Sequence, residues 1–326
     1  MMNIYLRAHG FTRKMSAGRI FSLMPEEKRV NVPRAVSTRR PQHKPKLGQH
    51  FLASDSFALQ IADSLGDVSQ YTVLEIGPGR GVLTSLLAKR ARRLIAVELD
   101  RVLAAQLRLR FGMFSNVEVI EADILAIDFD SLFGPKPGLR RPGIEFKPTP
   151  AKVIGNIPYY ITSDILLRLL EYSKYFQTLV LMVQREVADR VAAEPGSRDY
   201  GLLSATAQLY ARVEKLFTLP PSAFAPPPKV HSTVLRLDIV PRHHELGLDG
   251  AGNADGLTDG FIDFLKLSFG QKRKTLWNNL KANYPEPLLR AALSQSKVKP
   301  AARAETLTLE ESAALFHALR GNRDPS

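Results

Sequence analysis

The chain has 326 residues, 44% hydrophobic and 24% charged, the balance of a globular protein long enough for one large domain and a smaller one. It contains no cysteine, which excludes disulfides, cysteine-ligated zinc and thiol nucleophiles together. The seven histidines show no metal-ligand spacing and no run of about 18 apolar residues occurs, so neither a metal site nor a membrane span is expected.

The net charge of +13 is concentrated at one end. Residues 1–46 carry eleven Lys/Arg against Glu26 and Glu27, which leaves a net charge of only +4 for the other 280 residues. A cationic segment attracts polyanions, most often nucleic acid. Composition predicts a basic, disordered extension over 1–44. A transit peptide is the alternative, opposed by Glu26-Glu27 and by the lack of an amphipathic period, and Met15 and Met24 leave a later start open.

From Tyr71 onward, short apolar runs alternate with helical periodicity, the signature of a mostly parallel sheet covered by helices. A helix is predicted over 56–65, a strand over 72–77, a helix over 81–91, a strand over 93–99, a helix over 100–111 and a strand over 117–122. Residues 131–150, rich in Pro and Gly, read as an irregular excursion before a strand at 151–155. A helix over 163–171, a strand over 178–184 and a helix over 185–193 follow. Strands at about 205–214 and 230–240, joined by the Pro-rich 219–229, are expected to pair antiparallel at the sheet edge. Residues 246–260 read as a Gly/Asp-rich linker, and helices are predicted over 260–270, 272–282, 286–294 and 308–319. The expected architecture is α/β and doubly wound: a mostly parallel seven-stranded sheet in a domain over 45–243, then an all-helical domain over 244–326.

Glu75-Ile76-Gly77-Pro78-Gly79-Arg80-Gly81 follows a strand and opens a helix. Its glycines let backbone approach a ligand, although such a turn also serves purely structural ends. The GxGxG spacing departs from the GxGxxG that aims a helix at a pyrophosphate, and an anionic Glu75 would repel a diphosphate. It suits a phosphate-free ligand with a cationic head. Glu98 ends the second strand, where an acid grips ribose hydroxyls in doubly wound folds. Asp123 ends the third, placed to accept from an adenine amino group, and Asn156 ends the fourth. Each alone reads as a loop side chain; together, at consecutive strand ends, they point to S-adenosyl-L-methionine.

Asn156-Ile157-Pro158-Tyr159 closes the fourth strand. Adenine N6 is a poor nucleophile, and methylating it calls for acceptors that take its amino protons. The Asn156 oxygen and a neighbouring carbonyl can do this, Pro158 stiffens the turn and removes a donor, and Tyr159 offers a face for an extruded base.

These residues resemble the adenine-N6 methyltransferases. Lys46-Leu47-Gly48-Gln49-His50-Phe51-Leu52, Gln184-Arg185-Glu186-Val187-Ala188-Asp189-Arg190 and the stretch from Leu219 to Ser232, which carries Pro220-Pro221-Ser222-Ala223-Phe224, narrow the resemblance to the small-subunit ribosomal RNA adenine N6,N6-dimethyltransferases. It spans about 46–320. The resemblance implies a Rossmann-like class I methyltransferase fold, with cofactor contacts on His50, Leu52, Gly77, Glu98, Asp123 and Asn156. It sets the target adenine against Tyr159, with Phe224 as a second aromatic wall. It implies dimethylation of two adjacent adenosines in the 3′-terminal hairpin loop of small-subunit rRNA within a pre-30S particle, by a cytoplasmic monomer without metal. His50 stands where the family more often has Asn and could add pH dependence; Tyr160 and the Thr162-Ser163 order are further departures.

Arg185, Lys229 and Gln271-Lys272-Arg273-Lys274 are candidate RNA contacts, the last equally readable as a solvated face, and Trp277 is expected in the helical core. Three other readings stay open: a large-subunit rRNA adenine N6-methylase, which shares Asn-Ile-Pro-Tyr; a non-catalytic ribosome assembly factor; and, least consistent with GxGxG, a nicotinamide dehydrogenase.

Overall fold

The structure, a computed structural model, describes residues 50–134, 150–249 and 254–321. The basic extension 1–44 and residues 135–149 of the Pro/Gly-rich stretch lie outside them.

In chain order the described elements are β1 (Phe51–Leu52), α1 (Asp55–Asp63), β2 (Thr72–Ile76), α2 (Val82–Leu87), β3 (Arg93–Glu98), α3 (Arg101–Phe111), β4 (Val117–Glu121), α4 (Phe129–Phe133), β5 (Ala151–Asn156), α5 (Thr162–Glu171), β6 (Phe176–Gln184), α6 (Arg185–Val191), α7 (Leu202–Tyr210), β7 (Ala211–Leu219), β8 (Phe224–Ala225), β9 (Ser232–Ile239), α8 (Ala254–Ser268), α9 (Leu276–Leu280), α10 (Glu286–Gln295) and α11 (Leu309–Gly321). Seven strands form one sheet in the order β4-β3-β2-β5-β6-β9-β7, and β1 pairs with β8 in a separate two-stranded ribbon. The pairs from β4 through β6 are parallel, while β9 runs antiparallel to both β6 and β7.

Both faces of the sheet are covered, and the strands show why. Successive residues point to opposite faces. Thus Val73, Leu94, Ile154 and Val180 join one buried cluster with Ile61 and Leu65 beside α1, Leu87 of α2 and Leu107 of α3. Their neighbours Leu74, Ile95, Val153 and Leu179 join the other, with Phe129, Leu166 and Leu169. A strand buried on both sides reads as a continuous apolar run, as Leu179-Val180-Leu181-Met182-Val183 does.

Two expectations are corrected. The strand expected at about 205–214 is a helix as far as Tyr210, and the edge strand β7 runs over Ala211–Leu219. Ser204, Ala205, Thr206, Ala207 and Leu209 of α7 are all buried, so no polar stripe marks the helical period, and an apolar run of that kind is ambiguous between helix and strand. The linker expected over 246–260 is not a linker throughout: Leu246 and Leu248 are buried, and α8 begins at Ala254. One hydrophobic cluster runs from Leu235 and Leu237 of the sheet through Leu246 and Leu248 to Phe261, Leu289 and Phe316. The described residues belong to one compact unit.

Candidate active site at the strand ends

The strand order reverses between β2 and β5, whose carboxyl ends lie side by side with Ile76 opposite Gly155. In an open α/β sheet this is where the crevice for a ligand opens. Gly77 leaves β2 with φ of +64°, and a Cβ there would stand 3.4 Å from the Asn156 carbonyl oxygen. Gly79 has φ of +56°, and a Cβ there would lie 2.9 Å from the Phe51 ring. Left-handed backbone and a ring pressed on the turn both require glycine.

The acids divide by environment. Glu98, 5% exposed at the end of β3, accepts from Gly79 N–H at 3.0 Å and Asp100 N–H at 2.9 Å, so its carboxylate shapes the glycine turn. Asp123 follows β4 and accepts from Leu125 N–H at 2.9 Å through Oδ1, capping the single helical turn Ile124–Ala126. Glu75 differs from its sequence reading. It is 1% exposed, its Oε2 has no hydrogen-bond partner, and burial lifts its carboxyl to about 7, partly offset by hydrogen bonding to Thr84. A carboxyl titrating near neutrality repels a diphosphate less than the bare anion expected, because desolvation disfavours its charged form.

Asn156 ends β5 half-buried, and its Nδ2 donates to the His50 carbonyl at 2.9 Å. That bond orients the amide and leaves Oδ1 without a donor among the described residues. Three carbonyls follow in the turn. Pro158 O accepts from Ile161 N–H at 3.2 Å and Thr162 Oγ1 at 3.1 Å, and Tyr159 O from Thr162 Oγ1 at 3.4 Å. Ile157 N–H is used by Met182 O at 3.0 Å, while the Ile157 carbonyl has no donor among the described residues. Among the described residues the turn therefore leaves two acceptors, Asn156 Oδ1 and Ile157 O, without a donor. Tyr159 is held by a 2.9 Å hydrogen bond between its hydroxyl and Ser232 Oγ, and its ring stacks on His50 with centroids 6.0 Å apart.

The segment at residues 50–53 reaches this corner because it is lashed to residues 223–226. Phe51 pairs with Ala225, Leu52 with Phe224, Ala53 N–H donates to Ala223 O at 2.9 Å, and His50 Nδ1 donates to Pro226 O at 2.8 Å. His50, Leu52, Gly77, Asn156 and Tyr159 are thereby brought together. Phe224 sits elsewhere than on an open wall: it is 4% exposed, packed in the same buried cluster as Leu52. Ser232 and Thr162 were not singled out as site residues from sequence. Ser232 was visible only as the last residue of the 219–232 stretch, and Thr162 only as a departure in residue order.

Residues 40–320 match the model of the ribosomal RNA adenine dimethylase family. The chain belongs to this family. It is 54% identical to a ribosomal RNA small subunit methyltransferase A from Koribacter versatilis, over 88% of this chain and 98% of that one. Among solved structures, a dimethyladenosine transferase from Plasmodium falciparum superposes with a TM-score of 0.64 at 25% identity, covering 84% of this chain and 98% of its own. The 23S rRNA methyltransferase ErmE gives 0.58 at 28% identity, covering 83% and 99%. The matched region includes Asn-Ile-Pro-Tyr at 156–159.

Of the expected RNA contacts, Arg185 and Lys229 are exposed near one another, since Arg185 N–H donates to His231 O at 3.1 Å. Residues 271–274 precede α9, contrary to the helix expected from 272. Thr275 caps α9, and Lys272 Nζ donates to Arg198 O. Trp277 is partly buried against the main cluster, with the Arg290 guanidinium 4.7 Å from its ring centroid.

Proposed function

We propose that this protein transfers methyl groups from S-adenosyl-L-methionine to N6 of two adjacent adenosines in the 3′-terminal hairpin loop of small-subunit (16S) rRNA, within a pre-30S particle, as a cytoplasmic monomer. The observation that carries the reading is the pair of unused acceptors, Asn156 Oδ1 and the Ile157 carbonyl, beside the glycine turn.

The crevice suits the cofactor. The orphaned, buried Glu75 Oε2, with the Glu98 carboxylate nearby, favours a ligand with a cationic head, and the left-handed Gly77 and Gly79 keep the turn free of side chains. Glu98 would hold ribose hydroxyls with the lone pairs its backbone donors leave free, and Asp123 would accept from the adenine amino group. His50 and Leu52 would close the crevice from the lashed segment. When bound, S-adenosyl-L-methionine supplies an electrophilic methyl group.

The chain's own work is positioning. Asn156 Oδ1 and Ile157 O accept the two amino protons of the target adenine, which draws the N6 lone pair out of conjugation and stabilises the tetrahedral nitrogen as it forms. Pro158 contributes no N–H to compete for those acceptors. Tyr159, fixed at its hydroxyl by Ser232 and backed by His50, offers a face for the extruded base. Phe224 holds the segment that carries His50 through its pairing with Leu52. Alignment of this kind does not need a dedicated general base.

The test is transfer of labelled methyl groups to purified small subunits that lack the modification, with large subunits in parallel. Dimethyladenosine in the small-subunit digest is expected. Label confined to large subunits would instead favour a large-subunit methylase, the activity named for ErmE. A non-catalytic assembly factor on the same scaffold would label neither.

A further inference from the structure

Beside the glycine turn is a cavity of ≈ 550 Å³ lined by Phe51, Gly79, Arg80, Leu103, Gln106, Leu107 and Arg110. None of the lining residues is acidic. The nearest carboxylates are committed: Glu98 to the turn, and Asp100 to the N-terminus of α3, where its Oδ1 accepts from Val102 and Leu103 N–H.

Two exposed guanidiniums in this cavity are held in place by the protein without being neutralised by it. Arg80 lies over the Phe51 ring, its Cζ 4.7 Å from the centroid. Arg110 donates to Arg80 O and to Ser85 Oγ, both at 3.0 Å, which uses two of its five N–H groups. Neither has a carboxylate partner among the described residues, whereas Arg108, on the same helix, is paired with Glu121 at 3.3 Å. Fixing two like charges around one cavity is unfavourable unless an anion is to enter it.

The chemistry of the lining narrows that anion. A guanidinium plane stacked on an aromatic ring offers its outer face to a nucleobase, as single-stranded RNA recognition requires. The free N–H groups of Arg110 match a phosphodiester. The position narrows it further. His50, whose carbonyl orients Asn156, is the residue before Phe51, and consecutive Cα atoms are only about 3.8 Å apart. The Phe51 wall of the cavity is thus one residue along the chain from the residue that orients Asn156.

We infer that the Phe51–Arg80–Arg110 cavity is a subsite for a nucleotide flanking the target adenosine, with Arg80 stacking on its base and Arg110 binding its phosphate. This rests on the adenosine-methylating reading of the adjacent corner. The subsite adds affinity and register for the RNA and contributes nothing to cofactor binding.

The test uses the full chain with Arg80→Ala, the charge reversal Arg80→Glu, and Arg110→Gln. Each is assayed for methyl transfer to unmodified small subunits across a range of KCl, for S-adenosyl-L-methionine affinity by calorimetry, and for thermal stability. Loss of a base stack raises KM for subunits on the order of 10-fold. Loss of the phosphate contact in Arg110→Gln lowers the slope of log affinity against log salt by about 0.7–1. Arg80→Glu is expected to be the most severe of the three, with cofactor affinity as in wild type throughout. Cofactor affinity falling together with subunit KM would overturn the inference by assigning the cavity to the cofactor's own carboxylate. Unchanged KM and salt slope in properly folded variants would overturn it as well. Failure of the wild type to methylate subunits would instead sink the reading of the corner itself.

Discussion

Replacing Asn156 by Ala separates chemistry from architecture. The side chain makes one hydrogen bond within the protein, Nδ2 to the His50 carbonyl at 2.9 Å, and it is half-buried. A neutral bond of that kind is worth about 1 kcal/mol net, a loss of about 1–2 °C in Tm for a chain of this size. The catalytic cost is larger. If Oδ1 accepts an amino proton more strongly as the nitrogen pyramidalises, removing it should lower kcat by about 10²–10³-fold, equivalent to about 3–4 kcal/mol. The assay is single-turnover methyl transfer at saturating cofactor and subunits, alongside calorimetric cofactor affinity and a thermal melt. Folded variant with kcat near wild type and weakened cofactor binding would refute the role given to Oδ1, leaving Asn156 as a cofactor contact only.

Glu98→Gln loses the charge and sets its Nε2 donor against one of the two backbone N–H groups the carboxylate accepts from, so cofactor affinity should fall about 10–100-fold while kcat at saturation is spared; a change in kcat alone would contradict this. Gly79→Ala forces a Cβ to within 2.9 Å of the Phe51 ring at φ +56°, whereas Gly196, at φ +86°, has nothing within 4 Å. Both Ala variants should lose about 1–2 kcal/mol of stability to the left-handed backbone, but only Gly79→Ala should impair cofactor binding. Burial raises the Glu75 carboxyl from near 4.5 to about 7. The folded state therefore holds this proton more tightly, so its contribution to stability is complete below pH 4.5 and is lost as pH rises through 7, by at most about 3 kcal/mol. Glu75→Gln should flatten the fall in Tm between pH 5 and 8, and identical slopes in the two proteins would dispose of the argument.

The strand ends were readable in the sequence because each combines a run buried on both faces with a polar terminus: Leu74 to Gly77, Leu94 to Glu98 and Val153 to Asn156. Such runs have nothing else to be than central parallel strands. The same signal misled at 205–214, where small buried residues on every side of α7 mimic a strand. The lash between β1 and β8 has two residues on each side, too few for any period, so the placement of His50 and Leu52 came only from resemblance. The raised Glu75 carboxyl could not be read from sequence for a different reason: it arises from burial, partly offset by Thr84, which pattern does not convey. Phe51, Arg80 and Arg110 are 29 and 30 residues apart along the chain, and the glycine turn joins them, with Gly79 against Phe51 and Gly81 against Leu107 and Phe111 of α3.

The most direct measurement is a crystal structure with S-adenosylhomocysteine bound. The account predicts the ligand across the carboxyl ends of β2 to β5, its ribose at Glu98, its adenine amino group at Asp123 and its sulfur facing the Asn156–Tyr159 turn. Ligand seated away from that turn, or bound with Glu98 and Asp123 untouched, would contradict it.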